Sequence, residues 1–245
     1  MAERDKHMTL VEHLEELRQR LQYAILGLLV ATGIGLFFVD TLLGVLLRPA
    51  GSVKLTTLTV LEPFLVKVKV AFLFGFAVSM PWIMYQLYAF VDPALTETER
   101  RRTIPLSLLA GFLFAVGIVF GYLVILPVSL HWLLAQAGTQ FNALITANAY
   151  ISFVLFFLLI VGATFETPLV ILTLAFLGVV SAQTLRKEWR IAYMIIAGIA
   201  VFGTPDWSPV TMLLVAIPMV LLYEFSIVLC RIFIKPPAPE PIRGT

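Results

Sequence analysis

Residues 151–176 read ISFVLFFLLIVGATFETPLVILTLAF, an apolar run interrupted by one carboxylate, Glu166. At about 1.5 Å per residue, a helix of this length more than covers a hydrocarbon core of ~30 Å. No other Asp, Glu, Lys, Arg or His falls between Tyr150 and Arg186. Such a run crosses a membrane. A carboxylate inside it is energetically expensive, so Glu166 either faces a cavity or partner or makes a structural hydrogen bond to a neighbouring helix.

The rest of the chain follows the same rule. Of its 245 residues 60% are hydrophobic and 13% charged, and the mean hydropathy is +0.97, well outside the range of a soluble domain. Apolar runs at 22–44, 65–91, 104–131, 149–178, 190–204 and 210–229 predict an all-α polytopic membrane protein with six transmembrane helices. Six crossings put both termini on one side, and the cations choose it. Thirteen Lys and Arg residues fall in the tails and in the second and fourth loops, against four (Arg48, Lys54, Lys67, Lys69) on the opposite face. The positive-inside rule therefore places both termini in the cytoplasm.

Three divisions are expected: a cytoplasmic amphipathic helix over 1–21, a six-helix membrane domain over 22–234, and a disordered cytoplasmic tail over 235–245. The charged opening, MAERDKHMTLVEHLEELRQR, is unlike a cleavable signal peptide, so the first apolar segment is expected to stay in the mature protein. The connection from 45 to 64 is too long for a tight turn and reads as an interfacial cap. Prolines at 81, 127, 168 and 218 each remove a backbone donor and tend to bend their helices. The last two spans are short: 15 residues separate Arg190 from Asp206 and 17 separate Asp206 from Glu224, or only about 22–26 Å each. Such a hairpin thins the bilayer, leans on protein, or simply ends in snorkelling charges.

Two charged stretches admit more than one reading. In MTLVEHLEELRQRL the leucines at 10, 14, 17 and 21 recur at helical spacing, and Thr9 with Glu12 fits a capping box. Glu16 and Arg20 stand four apart, placed to pair with each other, or Glu16 and Arg18 serve in binding. In FVDPALTETERRR, residues 90–102, Thr96 and Glu99 again fit a capping box while Arg100 to Arg102 orient the next span. The same Glu97 and Glu99 also form a polar site able to accept the forked donors of a foreign guanidinium. The residues themselves leave both readings open.

Taken together, HLEELRQRL at 13–21, PWIMYQLYAFVDPAL at 81–95, Glu99-Arg100-Arg101, SFVLFFLLIVGATFETP at 152–168, TPD at 204–206 and AIPMVLLYE at 216–224 strongly resemble the TatC family. The resemblance runs from about residue 9 to 234. It implies six helices forming a curved wall with a concave face, and a receptor and core subunit of the twin-arginine protein translocase. By the family's motifs, Glu16, Arg18, Phe90, Pro93 and Glu99 would bind the signal peptide. Glu166 would be the intramembrane acid contacting partners, and Asp206 an external acid between the last two helices. The implied partners are twin-arginine signal peptides of folded cargo, single-span subunits of the TatA and TatB type, the lipid membrane, and further copies of the chain within the complex. The implied site is the bacterial cytoplasmic membrane, with transport driven by the proton motive force.

The main rival is a proton-coupled transporter of a small molecule, with Glu166 as proton carrier, although no repeat of the transporter kind is present. No enzyme, cofactor or metal is expected. Cys230 is the only cysteine, the histidines are His7, His13 and His131, and neither an H-E-x-x-H pattern nor a nucleotide-binding G-x-x-x-x-G-K-[ST] loop occurs. A net charge of +2 gives no reason to expect a nucleic-acid partner.

Overall fold

The computed structural model describes residues 10–51, 55–91, 103–136, 144–204 and 208–234. Each predicted span is helical, the first, third and fourth in more than one piece. Helix α1 (Leu10–Phe37) is followed by α2 (Val39–Leu47), a 3-10 turn (Arg48–Ala50) and α3 (Glu62–Val91). Then come α4 (Thr103–Phe120), a π turn (Gly121–Ile125) and α5 (Leu126–Ala135), which together make the third span. The fourth is α6 (Ala147–Thr164) with α7 (Thr167–Phe176); the chain closes with α8 (Ala182–Lys187), α9 (Trp189–Gly203) and α10 (Pro209–Phe233). Among the described residues, five helical segments are long and apolar enough to cross a bilayer, and Trp189–Gly203 is a shorter apolar sixth.

Side-chain caps set three of the starts. Thr146, Ser181 and Ser208 accept hydrogen bonds from the backbone N–H groups of Ala149, Thr184 and Thr211, satisfying donors that a helix leaves open in its first turn. Two of the four prolines coincide with irregular helix. The π turn immediately precedes Leu126-Pro127, and Pro168 opens α7 after a break at Phe165-Glu166. Pro81 and Pro218 lie inside continuous helices.

Three boundaries differ from the sequence reading. No break separates residues 21 and 22, because α1 continues from the amphipathic segment into the membrane span. That span ends at Phe37 instead of residue 44, and Asp40 near the start of α2 pairs with Lys67 of α3 at 2.7 Å, drawing residues 39–47 into the cap. The final helix is longer than the charge spacing implied. It runs past Glu224 to Phe233 for 25 residues, so shortness belongs to α9, which has 15. The helix passes Glu224 because that carboxylate is satisfied by Arg186 and Tyr193, so it does not mark a helix end.

Small residues decide how the first spans meet. A Cβ at Gly27 would strike Trp82, and one at Gly75 would strike Thr32. These close approaches give α1 and α3 the tight seam that membrane helices use where water cannot drive association. Helix α4 follows α3 in the same way, with Gly111 against Pro81. The larger core joins α2, α3, α5, α6, α9 and α10 around Phe157, Ile125 and Val215, while Phe114, Met84, Tyr88 and Leu169 form a second core between α3, α4 and α7. Helix α1 packs chiefly on α3 and α9 chiefly on α10, so the array has open ends.

The cap is tied down by hydrogen bonds. Thr56 donates its N–H to Ile145 and accepts from Ala147, making a parallel bridge between two loops. Glu62 accepts from the N–H groups of Leu58 (2.7 Å) and Asn148 (2.9 Å). Tyr122 and Tyr150 donate to the carbonyls of Val45 and Leu46.

Candidate functional site

One candidate surface lies where the beginning of α1 meets the end of α3. Helical spacing turns Glu16 and Arg20 toward α3, and the Arg20 guanidinium donates to Glu16 Oε1 at 3.1 Å. It also reaches Gln86 of α3 at 3.5 Å. The second carboxylate oxygen of Glu16 is buried with no hydrogen-bond partner among the described residues. One turn earlier, the His13 ring stacks on Phe90 with centroids 4.4 Å apart and planes 18° apart. A hollow of about 460 Å³ runs along α1, lined by Glu12, Glu15, Glu16, Gln19, Arg20 and Tyr23. Arg18, on another face, is exposed. The outcome is an acidic corner with one carboxylate half engaged by an internal guanidinium.

The structure thus brings Glu16 and Phe90, far apart in sequence, onto adjoining helices, and it keeps Arg18 apart from that contact. Pro93, Glu99 and Asp206 lie outside the described residues. Two contributors went unread in the sequence, His13 and Gln86. Gln86 had a signal, being a buried polar residue four positions before Phe90 on the same face of an apolar span.

Glu166 occupies a second position of interest, inside the helix array. It stands at the break between α6 and α7, and its backbone is satisfied: its N–H donates to Ala163 and its carbonyl accepts from Val170 at 2.9 Å. The residue is 5% exposed, and both carboxylate oxygens are buried without a hydrogen-bond partner among the described residues. The side chain does not cap α7 either. Close crossing of α4 and α6, where a Cβ at Gly117 would lie 2.9 Å from Gly162, closes in the segment one turn before it. The nearby Tyr88 hydroxyl engages Thr173 at 3.3 Å instead.

The third cluster joins the last three helices. Arg186 of α8 donates to both carboxylate oxygens of Glu224 on α10, at 3.1 and 2.8 Å, and Tyr193 of α9 donates to the same group at 2.9 Å. Tyr223 donates to the Leu185 carbonyl at 2.7 Å. Among the described residues, no group of three His, Cys, Asp or Glu is placed to hold a metal ion.

Fold and sites together define a polytopic helical membrane protein with an acidic surface corner and a buried carboxylate, Glu166, that no described residue meets. Residues 12–218 match the family of the Sec-independent protein translocase protein TatC. The chain is 36% identical over 237 residues to the Sec-independent protein translocase protein TatC of Carboxydothermus hydrogenoformans, covering 95% of this chain and 96% of that one. It is 37% identical over 231 residues to the protein of the same name from Aquifex aeolicus, covering 92% and 95%. A crystal structure of the twin-arginine translocase receptor TatC in DDM superposes with a TM-score of 0.80 at 36% identity, over 90% of this chain and 100% of that one. The chain belongs to the TatC family, and is a protein-transport subunit of the membrane. That membership displaces the reading as a small-molecule transporter.

Proposed function

We propose that this protein is the receptor and core subunit of a twin-arginine translocase in the bacterial cytoplasmic membrane. Glu16 and Glu99 grip the paired arginines of a signal peptide, with Arg18, Phe90 and Pro93 completing the surface, and the peptide's apolar part lies along the concave membrane face. Single-span partners of the TatA and TatB type assemble near Glu166 and the final hairpin, with Asp206 on the external side. Folded cargo crosses through the assembled partners, driven by the proton motive force. The observation that carries this reading is the half-engaged Glu16: one oxygen holds a guanidinium and the other has no partner among the described residues. A carboxylate so arranged suits planar, forked donors, which distinguish arginine from lysine.

Equilibrium binding of a fluorescent twin-arginine peptide to the purified protein tests it. Glu16→Gln and Glu99→Gln each remove a charge-assisted bond worth about 1.5–3 kcal/mol, so affinity should fall roughly 10- to 150-fold. The double variant should lose less than the sum, since both acids grip one arginine pair. Affinities within twofold of the parent would return both residues to helix capping and pairing. Orientation is tested separately: with Cys230→Ser, a cysteine at position 184 should label only from the cytoplasmic side and one at 55 only from outside.

A further inference from the structure

We propose that the junction of α8, α9 and α10 is a binding site for the phosphate headgroup of an anionic phospholipid. A hollow of about 510 Å³ opens there, lined by Arg186, Trp189, Tyr193 and Glu224. Glu224 does not exhaust Arg186. Both hydrogen bonds use Nη1, so Nη2 and Nε, which a guanidinium also offers as donors, have no acceptor among the described residues and remain for a ligand. Lys187 and Arg190 stand exposed beside it, with no ion pair to either among the described residues. The Arg190 guanidinium lies 5.5 Å from the centre of the Trp189 ring, and Trp189 packs edge-on to Tyr193.

The ligand class follows from what lies beside the hollow. Helix α9 turns Ile191, Met194, Ile195 and Ile199 outward, uncovered by the other described residues, a face suited to acyl chains. With 15 residues the helix reaches about 22 Å, short of a ~30 Å hydrocarbon core. Its charged end therefore sits at or below the level of the headgroups, where mismatch would otherwise thin the bilayer. Tryptophan, tyrosine and clustered cations at that depth favour an anionic headgroup over a zwitterionic one. Glu224 holds the three helices together and leaves the outer donors to the phosphate.

The test uses the purified full chain in mixed vesicles of brominated phosphatidylglycerol or brominated phosphatidylcholine, with Trp189 read by difference against Trp189→Phe. Quenching should favour phosphatidylglycerol. Lys187→Gln with Arg190→Gln, which leaves the Arg186–Glu224 contact intact, should reduce that preference by roughly fivefold per cation removed. Arg186→Gln should reduce it too. Inorganic phosphate at millimolar concentration should not compete. Equal quenching by both lipids in the parent, or an unchanged preference in the double variant with parental helix content, overturns the proposal. Displacement of the lipid by free phosphate would also overturn it, assigning the site to a soluble anion. Twin-arginine peptide affinity should stay unchanged in the double variant, which keeps this test separate from the receptor reading.

Discussion

Glu166 and Glu224 are both carboxylates within the apolar runs of the sequence, and they end in opposite states. Glu224 receives three hydrogen bonds from two other helices. Glu166 receives none from any described residue, although it is the more buried of the two. An acid that is fully met serves the fold, since it joins α8, α9 and α10 where α9 alone is too short to hold itself across a bilayer. An acid that is buried and unmet works against the fold, and that is the condition in which a residue is retained for something other than stability.

The sharpest way to break this comparison is to replace each acid with an apolar side chain and compare signs. Removing a buried polar group that has no partner relieves its desolvation penalty, about 1–3 kcal/mol. Glu166→Leu should therefore raise the thermal unfolding midpoint in detergent while transport falls. Glu166→Gln should melt nearer the parent and transport better than Glu166→Ala, because an amide keeps most hydrogen bonds a partner could offer. A Glu166→Leu protein that melts below the parent would mean that the carboxylate has a stabilising partner after all, and the contrast with Glu224 would collapse.

Glu224→Ala should act in the opposite direction and more weakly. Arg186 is 58% exposed and Glu224 35% exposed at the side chain, so water takes up part of what the pair loses, and the expected destabilisation is about 1 kcal/mol. The same melting experiment checks it, and a second measurement locates it: hydrogen exchange should quicken in α9 and stay unchanged in α1. An unchanged midpoint together with unchanged exchange would show that packing alone holds the short helix.

Much of this architecture can be read from one dimension. Spans follow from apolar length, and the shortness of Trp189–Gly203 follows from where charges stop. Glu166 stands out because no other Asp, Glu, Lys, Arg or His lies between His131 and Arg186. Pairing between helices is not written locally. Glu224 reads in sequence only as a boundary, because its partners Arg186 and Tyr193 are 38 and 31 residues away. The continuous α1 was hidden for a related reason. A charged amphipathic stretch and an apolar stretch look like two elements, yet no glycine, proline or turn residue separates Leu21 from Gln22 and Tyr23, and a helix with no stop signal continues. His13 and Gln86 escaped notice because each matters only through a residue on the other helix.

The smallest expected effect returns to the surface corner and concerns Arg20. Its guanidinium occupies Glu16 Oε1, one of the two oxygens that a forked guanidinium would engage under the receptor reading. An internal pair of this i, i+4 kind is worth about 0.3–0.5 kcal/mol, and a signal peptide must displace it. Arg20→Gln removes the competitor, so peptide affinity should rise by about twofold while the melting point hardly moves. The sign is the informative part. If Arg20 instead orders Glu16 for the peptide, holding the carboxylate against Gln86, the same change weakens binding. Titrating the fluorescent peptide against parent and Arg20→Gln at low and high salt separates the two. Competition predicts a gain that shrinks as salt screens the internal pair, whereas a loss at both salt concentrations makes Arg20 a positioning residue and removes the idea that the corner is self-occupied at rest.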